Sequence, residues 1–325
     1  MKRIPQLLRC AALAFGMAVG ATAGASPIAA LVVFGDSLSD PGNAFALTSP
    51  ATPFPPAPYY VGGHFSNGPT ATEQFAQQTG LPTVNLAQGG ATTGTLNINN
   101  GRDVLGLYNV PNVLSGMQQQ FTGYVGSHLI DAGTLYVVWG GPNNFFADAS
   151  MPSLVAAITD LATYVGTLRT LGAQHIMVPN MPDLSLTPYG LSLPALQRAG
   201  LAALVQGFND AMALNIWAPN AGVVIPVDVF GILNAVLANP AGFGFTDTIS
   251  ACNADPACLF NPTAQDQHVF WDDVHPTMHT AAILARGFVL ATGLPEPGSL
   301  WLAAPLALAL LMMVRRPRAV RHALS

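Results

Sequence analysis

Residues 29–43 read AALVVFGDSLSDPGN, an apolar run that breaks at Gly35-Asp36-Ser37. A run without charges that stops at a tight turn fits a strand buried on both faces of a parallel sheet. Four more β-rich runs follow: Pro82–Ala87, Thr134–Trp139, His175–Val178 and Val223–Val229. Helical patterns lie between and after them, over Thr70–Gln78, Ser153–Leu171 (stopped by Gly172), Leu193–Trp217 and His279–Ala291. A glycine just past the last periodic residue is a natural helix stop. Strand and helix alternate, so the expected architecture is a parallel sheet flanked by helices. Residues 50–58 (PATPFPPAP) form a Pro-rich loop, and residues 95–112 read as an irregular Asn- and Gly-rich insertion.

The chain has 325 residues, of which 50% are hydrophobic and only 8% charged. That balance predicts a large buried core and excludes a disordered chain. The net charge of −5 conceals an asymmetry. Seven of the 11 basic residues sit at the ends: Lys2, Arg3, Arg9, Arg315, Arg316, Arg318 and Arg321. Between these ends four basic residues face 16 acidic ones, a net −12. Such a body repels a phosphate backbone, so nucleic acid is not an expected partner. A neutral or apolar ligand fits better.

Both ends look unlike the body. Residues 1–25 have the order of a secretory signal peptide: a basic start, the apolar segment Ala11–Gly20, then Ala23-Gly24-Ala25 before Ser26. Export would place Cys252 and Cys258, within CNADPAC, in an oxidising compartment where they can pair; two free packed thiols are the other reading. At the other end come Pro295-Glu296-Pro297, apolar residues 300–314 and an Arg-rich end. The apolar part is 15 residues, short of the roughly 20 that span a bilayer comfortably, but the flanking arginines would let it insert, so a C-terminal membrane anchor through residues 300–314 is one reading. The three parts together resemble the PEP-CTERM sorting signal of Gram-negative bacteria, which implies an exosortase-type partner and a cell-surface or extracellular destination. The expected organisation is a leader at 1–25, a body at 26–293 and a tail at 294–325.

Four motifs in the body carry chemistry. In Phe34-Gly35-Asp36-Ser37 the serine follows a strand, on a turn that can expose its hydroxyl. Ligands of open α/β sheets bind beyond the carboxyl ends of the strands. Alone, this is equally a capping serine. In Trp271-Asp272-Asp273-Val274-His275-Pro276 an imidazole is the natural base for a hydroxyl, and a carboxylate three residues earlier can fix its tautomer. Alone, it is equally a surface Asp–His pair, and Asp273 competes with Asp272. Gly140-Gly141-Pro142-Asn143-Asn144 offers an amide donor for a developing oxyanion. Asn85-Leu86-Ala87-Gln88-Gly89-Gly90 offers a backbone N–H at a glycine; either of these last two also reads as a plain turn.

Taken in chain order, the four motifs resemble blocks I, II, III and V of the GDSL/SGNH hydrolases, over about residues 30–292, with FGDSLSD-x-GN and WDxxHPT particularly similar to the bacterial lipase/esterase and lecithinase-like branch. The resemblance implies a three-layer α/β/α sandwich with a flavodoxin-like parallel sheet. It implies Ser37 as nucleophile, His275 as base and Asp272 as its orienting acid. It implies an oxyanion hole from the Ser37 N–H, the Gly90 N–H (Gly89 being the substitute) and the Asn143 side chain. No metal or organic cofactor is implied. The substrate would be a small-molecule, lipid or glycan ester. Two departures stand out: Asn144 replaces the family's common Asp, and His64 replaces Arg in His64-Phe65-Ser66-Asn67-Gly68. His64 is therefore expected on a loop bordering the site, outside the triad. Asp36 is expected to hold the nucleophile turn. His128, His175, His268 and His279 show no metal-ligand spacing with acids or cysteines and are expected to be structural. A deacetylase or acyltransferase acting on surface polysaccharide is an alternative on the same residues. A non-catalytic surface or matrix protein is a third reading.

Overall fold

The computed structural model describes residues 27–101, 106 and 108–294. Residues 1–26 and 295–325, where the expected leader and sorting tail fall, lie outside them. Five strands form one sheet: β1 (Ala30–Gly35), β2 (Thr83–Asn85), β3 (Thr134–Trp139), β4 (His175–Pro179) and β5 (Val224–Val227). Their order is β2-β1-β3-β4-β5 and every pairing is parallel. This is the flavodoxin-like order, whose topological switch point lies between β1 and β3.

The helices are α1 (Asn43–Thr48), α2 (Ala71–Thr79), α3 (Met117–Val125), α4 (Pro142–Ala147), α5 (Met151–Thr170) and α6 (Pro188–Ser192). They continue with α7 (Ala195–Met212), α8 (Val229–Ala238), α9 (Pro256–Leu259), α10 (Pro262–Asp266) and α11 (Met278–Thr292). A separate two-stranded ladder pairs β6 (Asp247–Ala251) with β7 (His268–Phe270).

Strand alternation divides the core into two layers. Val32 and Phe34 of β1, with Tyr136 and Val138 of β3, face α3, α5 and α7 and pack with Phe121, Leu161 and Phe208. Leu31, Val33, Leu135 and Val137 point the other way, toward Phe75 of α2 and Phe288 of α11. The result is a three-layer α/β/α sandwich. A side chain as deeply buried as Phe208 contributes about 1.5–3 kcal/mol by leaving water.

Local chemistry sets the helix ends. Thr70 and Glu73 form a reciprocal capping box on α2. Pro194 precedes α7, so the helix begins at Ala195 rather than Leu193. Its far end widens into a π-helical turn, Ala213–Trp217, before Pro219 stops it. That turn buries Ile216 and lets the Trp217 indole N–H donate to the Val178 carbonyl at 3.0 Å. One helix sequence reading missed is α8. Its first residue looked like the end of a strand, but the Asp228 side chain caps it, accepting the Gly231 N–H at 2.9 Å. Among the described residues only α5 is long and apolar enough to cross a membrane, and its buried face belongs to the core.

Leu161 is fully enclosed between α5 and the sheet. Leu161→Ala should therefore cost about 2–5 kcal/mol of unfolding free energy, read by denaturant titration.

Candidate active site

Ser37 follows directly from β1 because the strand cannot continue past Gly35. The glycine lies so close to β3 that a Cβ there would stand 2.8 Å from the Trp139 carbonyl oxygen. Gln120 of α3 takes over the ladder at this point. Its side chain accepts from the Gly35 N–H at 3.0 Å and donates to the Gly35 carbonyl at 2.9 Å. The turn closes with Ser39 N–H donating to the Asp36 carbonyl, and Leu38 N–H to the Asp36 carboxylate, both at 3.0 Å. Asp40 then accepts N–H groups of Gly42, Asn43, Ala44 and Gly89, tying this loop to the one after β2.

The second half of the site follows β7. The Trp271 N–H donates to the His275 carbonyl at 2.8 Å, which closes the turn 271–275. Asp272 curls back inside it and accepts the backbone N–H groups of Val274 (2.9 Å) and His275 (2.7 Å). Its Oδ2 lies 2.7 Å from His275 Nδ1, and His275 Nε2 lies 2.6 Å from Ser37 Oγ. Residues 238 positions apart are thus joined in one line. Asp273 is exposed and lines the same cleft, and among the described residues the carboxylate that hydrogen-bonds the imidazole is Asp272. Phe65 closes one side, its ring 5.4 Å from that of His275.

The loops after β2 and β3 complete the site. Gly90 has φ of +83°, and a Cβ there would stand 2.4 Å from Asn99 Nδ2, so glycine is required. The Gly89 N–H is committed to Asp40 at 2.8 Å, whereas Gly90 lines the cleft together with Asn143. Asn143, in the first turn of α4, donates one amide N–H to the Ala91 carbonyl at 3.0 Å. Asn144, in place of the expected acid, accepts from the Thr93 N–H and donates to Thr93 Oγ1, both at 3.0 Å. Thr93 in turn donates to Asp160 at 2.8 Å. A chain of hydrogen bonds thus runs from Asn144 through Thr93 to the Asp160 carboxylate of α5.

The cleft above Ser37 has a volume of about 420 Å³. Phe54, Pro55, Phe65, Ile98, Tyr108, Phe146 and Leu184 give it largely apolar walls. Of the described lining residues, none is Lys or Arg.

His64 precedes Phe65 of the cleft wall and makes its own contacts outside the Ser37–His275–Asp272 line. Its Nε2 meets Glu73 at 3.0 Å and its Nδ1 meets the Val61 carbonyl, which ties its loop to α2. His128 stacks on Tyr124, and His279 bonds the Asp266 carbonyl. His268 requires a correction. It stands with Cys252 and Cys258 at metal-ligand spacing, the three ligand atoms lying within 4.8 Å of one another. The sequence hides this because β7 brings His268 back beside the cysteine loop. Both sulfurs are joined to each other in a disulfide, so neither is a thiolate ligand.

Electrostatics favour a charged pair. Burial disfavours charge on His275, but the Asp272 charge and hydrogen bond outweigh it and Asp36 adds to them, so its pKa lies above 6.5. Burial also acts on Asp272, where the His275 charge and the N–H donors prevail and hold its carboxyl below the ordinary value. Asp36 is pushed up to about 6 by burial, against the Leu38 N–H and the His275 charge. Sequence reasoning missed Tyr60, whose hydroxyl donates to Asp272 at 2.8 Å, and also Gln120, Thr93 and Asp160. Nothing local in the sequence marks these residues, since each acts across a long chain separation.

The chain matches the family model of the GDSL-like lipases/acylhydrolases over residues 31–288, and it belongs to that family. A Pseudomonas putida protein from the trpE–trpG intergenic region is 30% identical, over 88% of this chain and 52% of the relative. A phosphatidylcholine-sterol acyltransferase of Aeromonas hydrophila is 29% identical, over 68% of this chain and 64% of the relative. The chain thus spans only about half to two-thirds of the length of these two. A GDSL esterase/lipase of Arabidopsis thaliana is 27% identical, over 81% of this chain and 85% of the relative.

An NMR titration of the His275 ring should have its midpoint above the ordinary 6.5. In Asp272→Asn, burial is left without its counterweight and the midpoint should drop below that value.

Proposed function

We propose that the chain is an exported serine esterase that cleaves carboxylic esters through an acyl-enzyme on Ser37. The supporting observation is the unbroken line from Asp272 to His275 to Ser37, at 2.7 Å and 2.6 Å, opening into the cleft. Ser37 Oγ attacks the ester carbonyl carbon and its proton passes to His275 Nε2. The carbonyl electrons move onto oxygen, which the N–H groups of Ser37 and Gly90 and the Asn143 amide receive. Collapse expels the alcohol, which takes the proton from His275. Water repeats the sequence and releases the acid. Asp272 remains ionised throughout, orienting the ring and balancing its charge.

The apolar walls favour an ester with an apolar acyl arm. They are less suited to a polysaccharide, which needs many polar partners. The acyltransferase name of one relative keeps transfer to an alcohol as a second reading, on the same acyl-enzyme. A non-catalytic surface role is the reading that this site favours least, since it would leave the Ser37–His275–Asp272 line without a task.

Purified residues 26–293 should hydrolyse short-chain p-nitrophenyl esters and react with a fluorophosphonate probe at Ser37. Ser37→Ala should lower turnover by at least about 10³-fold and abolish labelling. Asn143→Ala should lower kcat by about 10²–10³-fold. A folded wild-type protein that neither labels nor turns over would overturn the triad.

The same reading takes residues 1–25 as a leader removed before Ser26, and residues 294–325 as a tail recognised by an exosortase-type enzyme. The disulfide between Cys252 and Cys258 suits an oxidising compartment. Mass spectrometry of protein recovered outside the cytoplasm should give a mature chain beginning at Ser26; an intact Met1 terminus there would refute the leader.

A further inference from the structure

We propose that Tyr60 is a positioning residue for the triad, whose hydroxyl, bonded to Asp272 Oδ2, tunes the hold of that carboxylate on His275. The inference deepens the esterase reading and rests on it.

Asp272 has its acceptor positions filled from several directions. Oδ1 takes the Val274 and His275 backbone N–H groups, which belong to its own turn. Oδ2, the oxygen nearer His275 Nδ1, also accepts the Tyr60 hydroxyl at 2.8 Å. Tyr60 is 212 residues away in sequence. It is therefore the one donor to this carboxylate from outside the turn among the described residues.

The phenol is held firmly. Burial pushes its pKa well up, and the Asp272 charge and hydrogen bond push it further, against a bond from Asn253. The hydroxyl thus keeps its proton at every working pH and can act only as a donor to the carboxylate. The neighbouring Tyr59 carbonyl accepts the Trp271 indole N–H at 2.9 Å. The Tyr60 ring packs against the cluster of Cys252, Cys258, Leu259 and Trp271, and lies 6.1 Å from Phe65. The Asn253 N–H, inside the loop that the disulfide closes, donates to the Trp271 carbonyl at 2.8 Å. The disulfide loop, Trp271 and Phe65 therefore hold the Tyr60 ring where its hydroxyl meets Asp272.

The chemical consequence has a definite sign. A hydrogen bond to a carboxylate draws off part of its charge and weakens its hold on the imidazolium proton. Tyr60 thus restrains the upward shift that Asp272 imposes on His275. It leaves more of the ring neutral, and so able to accept the Ser37 proton, near neutral pH.

The test is the pH profile of kcat/KM on a p-nitrophenyl ester, for wild type and Tyr60→Phe. Phe retains the ring and its packing. The acid limb should move up by about half a unit, with kcat lowered roughly 3- to 10-fold and KM changed less. Replacing Tyr60 by 3-fluorotyrosine, nearly the same size but a stronger donor, should move the limb down. In an Asp272→Asn background, Tyr60→Phe should cost no further activity, because the effect passes through that carboxylate. An unchanged limb in both Tyr60 variants would overturn the inference. So would an equal further loss in the Asp272→Asn background. Failure of the triad reading is distinct: the wild type itself would then lack activity that Ser37→Ala removes. His275 NMR titration in a Ser37→Ala background reads the same shift without turnover.

Discussion

The in-register parallel pairing of β1 with β3 is the constraint on which the site depends. It runs from Ala30 opposite Thr134 to Gly35 opposite Trp139. Both strands are buried on both faces, so a one-residue slip would move every side chain into the opposite core layer, which is packed to fit other side chains. The loops that leave them must therefore emerge side by side at the carboxyl edge. Ser37 lies two residues beyond one strand end and Asn143 four beyond the other. With β2 on the far side of β1, Gly90 joins them. The Ser37 turn, Gly90 and Asn143 thus follow three strands adjacent in the order β2-β1-β3.

Regular structure stops where the site begins, and buried side chains replace the missing backbone ladder. Gln120 pairs with both backbone groups of Gly35. Asn43 donates to the carbonyls of Asn85 and Ala87. Asn97 donates to those of Gly89 and Ser115. A buried backbone group left unpaired costs about 1–3 kcal/mol, so these amides hold otherwise irregular loops in single conformations. A hydroxyl held 2.6 Å from an imidazole tolerates little positional error, and such satisfied networks cluster around it.

The acid–base half of the site has a different origin. Asp272 and His275 sit in one turn, and two backbone N–H groups lock the carboxylate against the ring. That turn is mounted on β7 and the start of α11, outside the main sheet. It reaches Ser37 because α11 packs beside α2 on the same face of the sandwich. Rigidity of the short turn and rigidity of the helix layer together make the 2.6 Å contact.

Much of this was legible in the chain itself. The five main strands and the alternation of layers follow from apolar runs bounded by glycine and proline, which are local signals. Ser37 and the Asp272–His275 spacing are also local, because a three-residue turn brings that carboxylate to that ring. The helix α8 was illegible, since VFGILNAVLA is apolar nearly all round and has no polar face to mark its period. That the Gly89 N–H is already occupied rests on the Asp40 carboxylate, 49 residues away. Asp160 behind Asn144, His268 beside the disulfide and Tyr60 above Asp272 were equally out of reach. Sequence by itself determined the chemistry available and the order of the elements that carry it, because both depend on neighbours within a few positions. Only the tertiary structure decided which buried donors complete each charged or polar group, because hydrogen bonds depend on distance in space, and folding brings together residues that the chain keeps far apart.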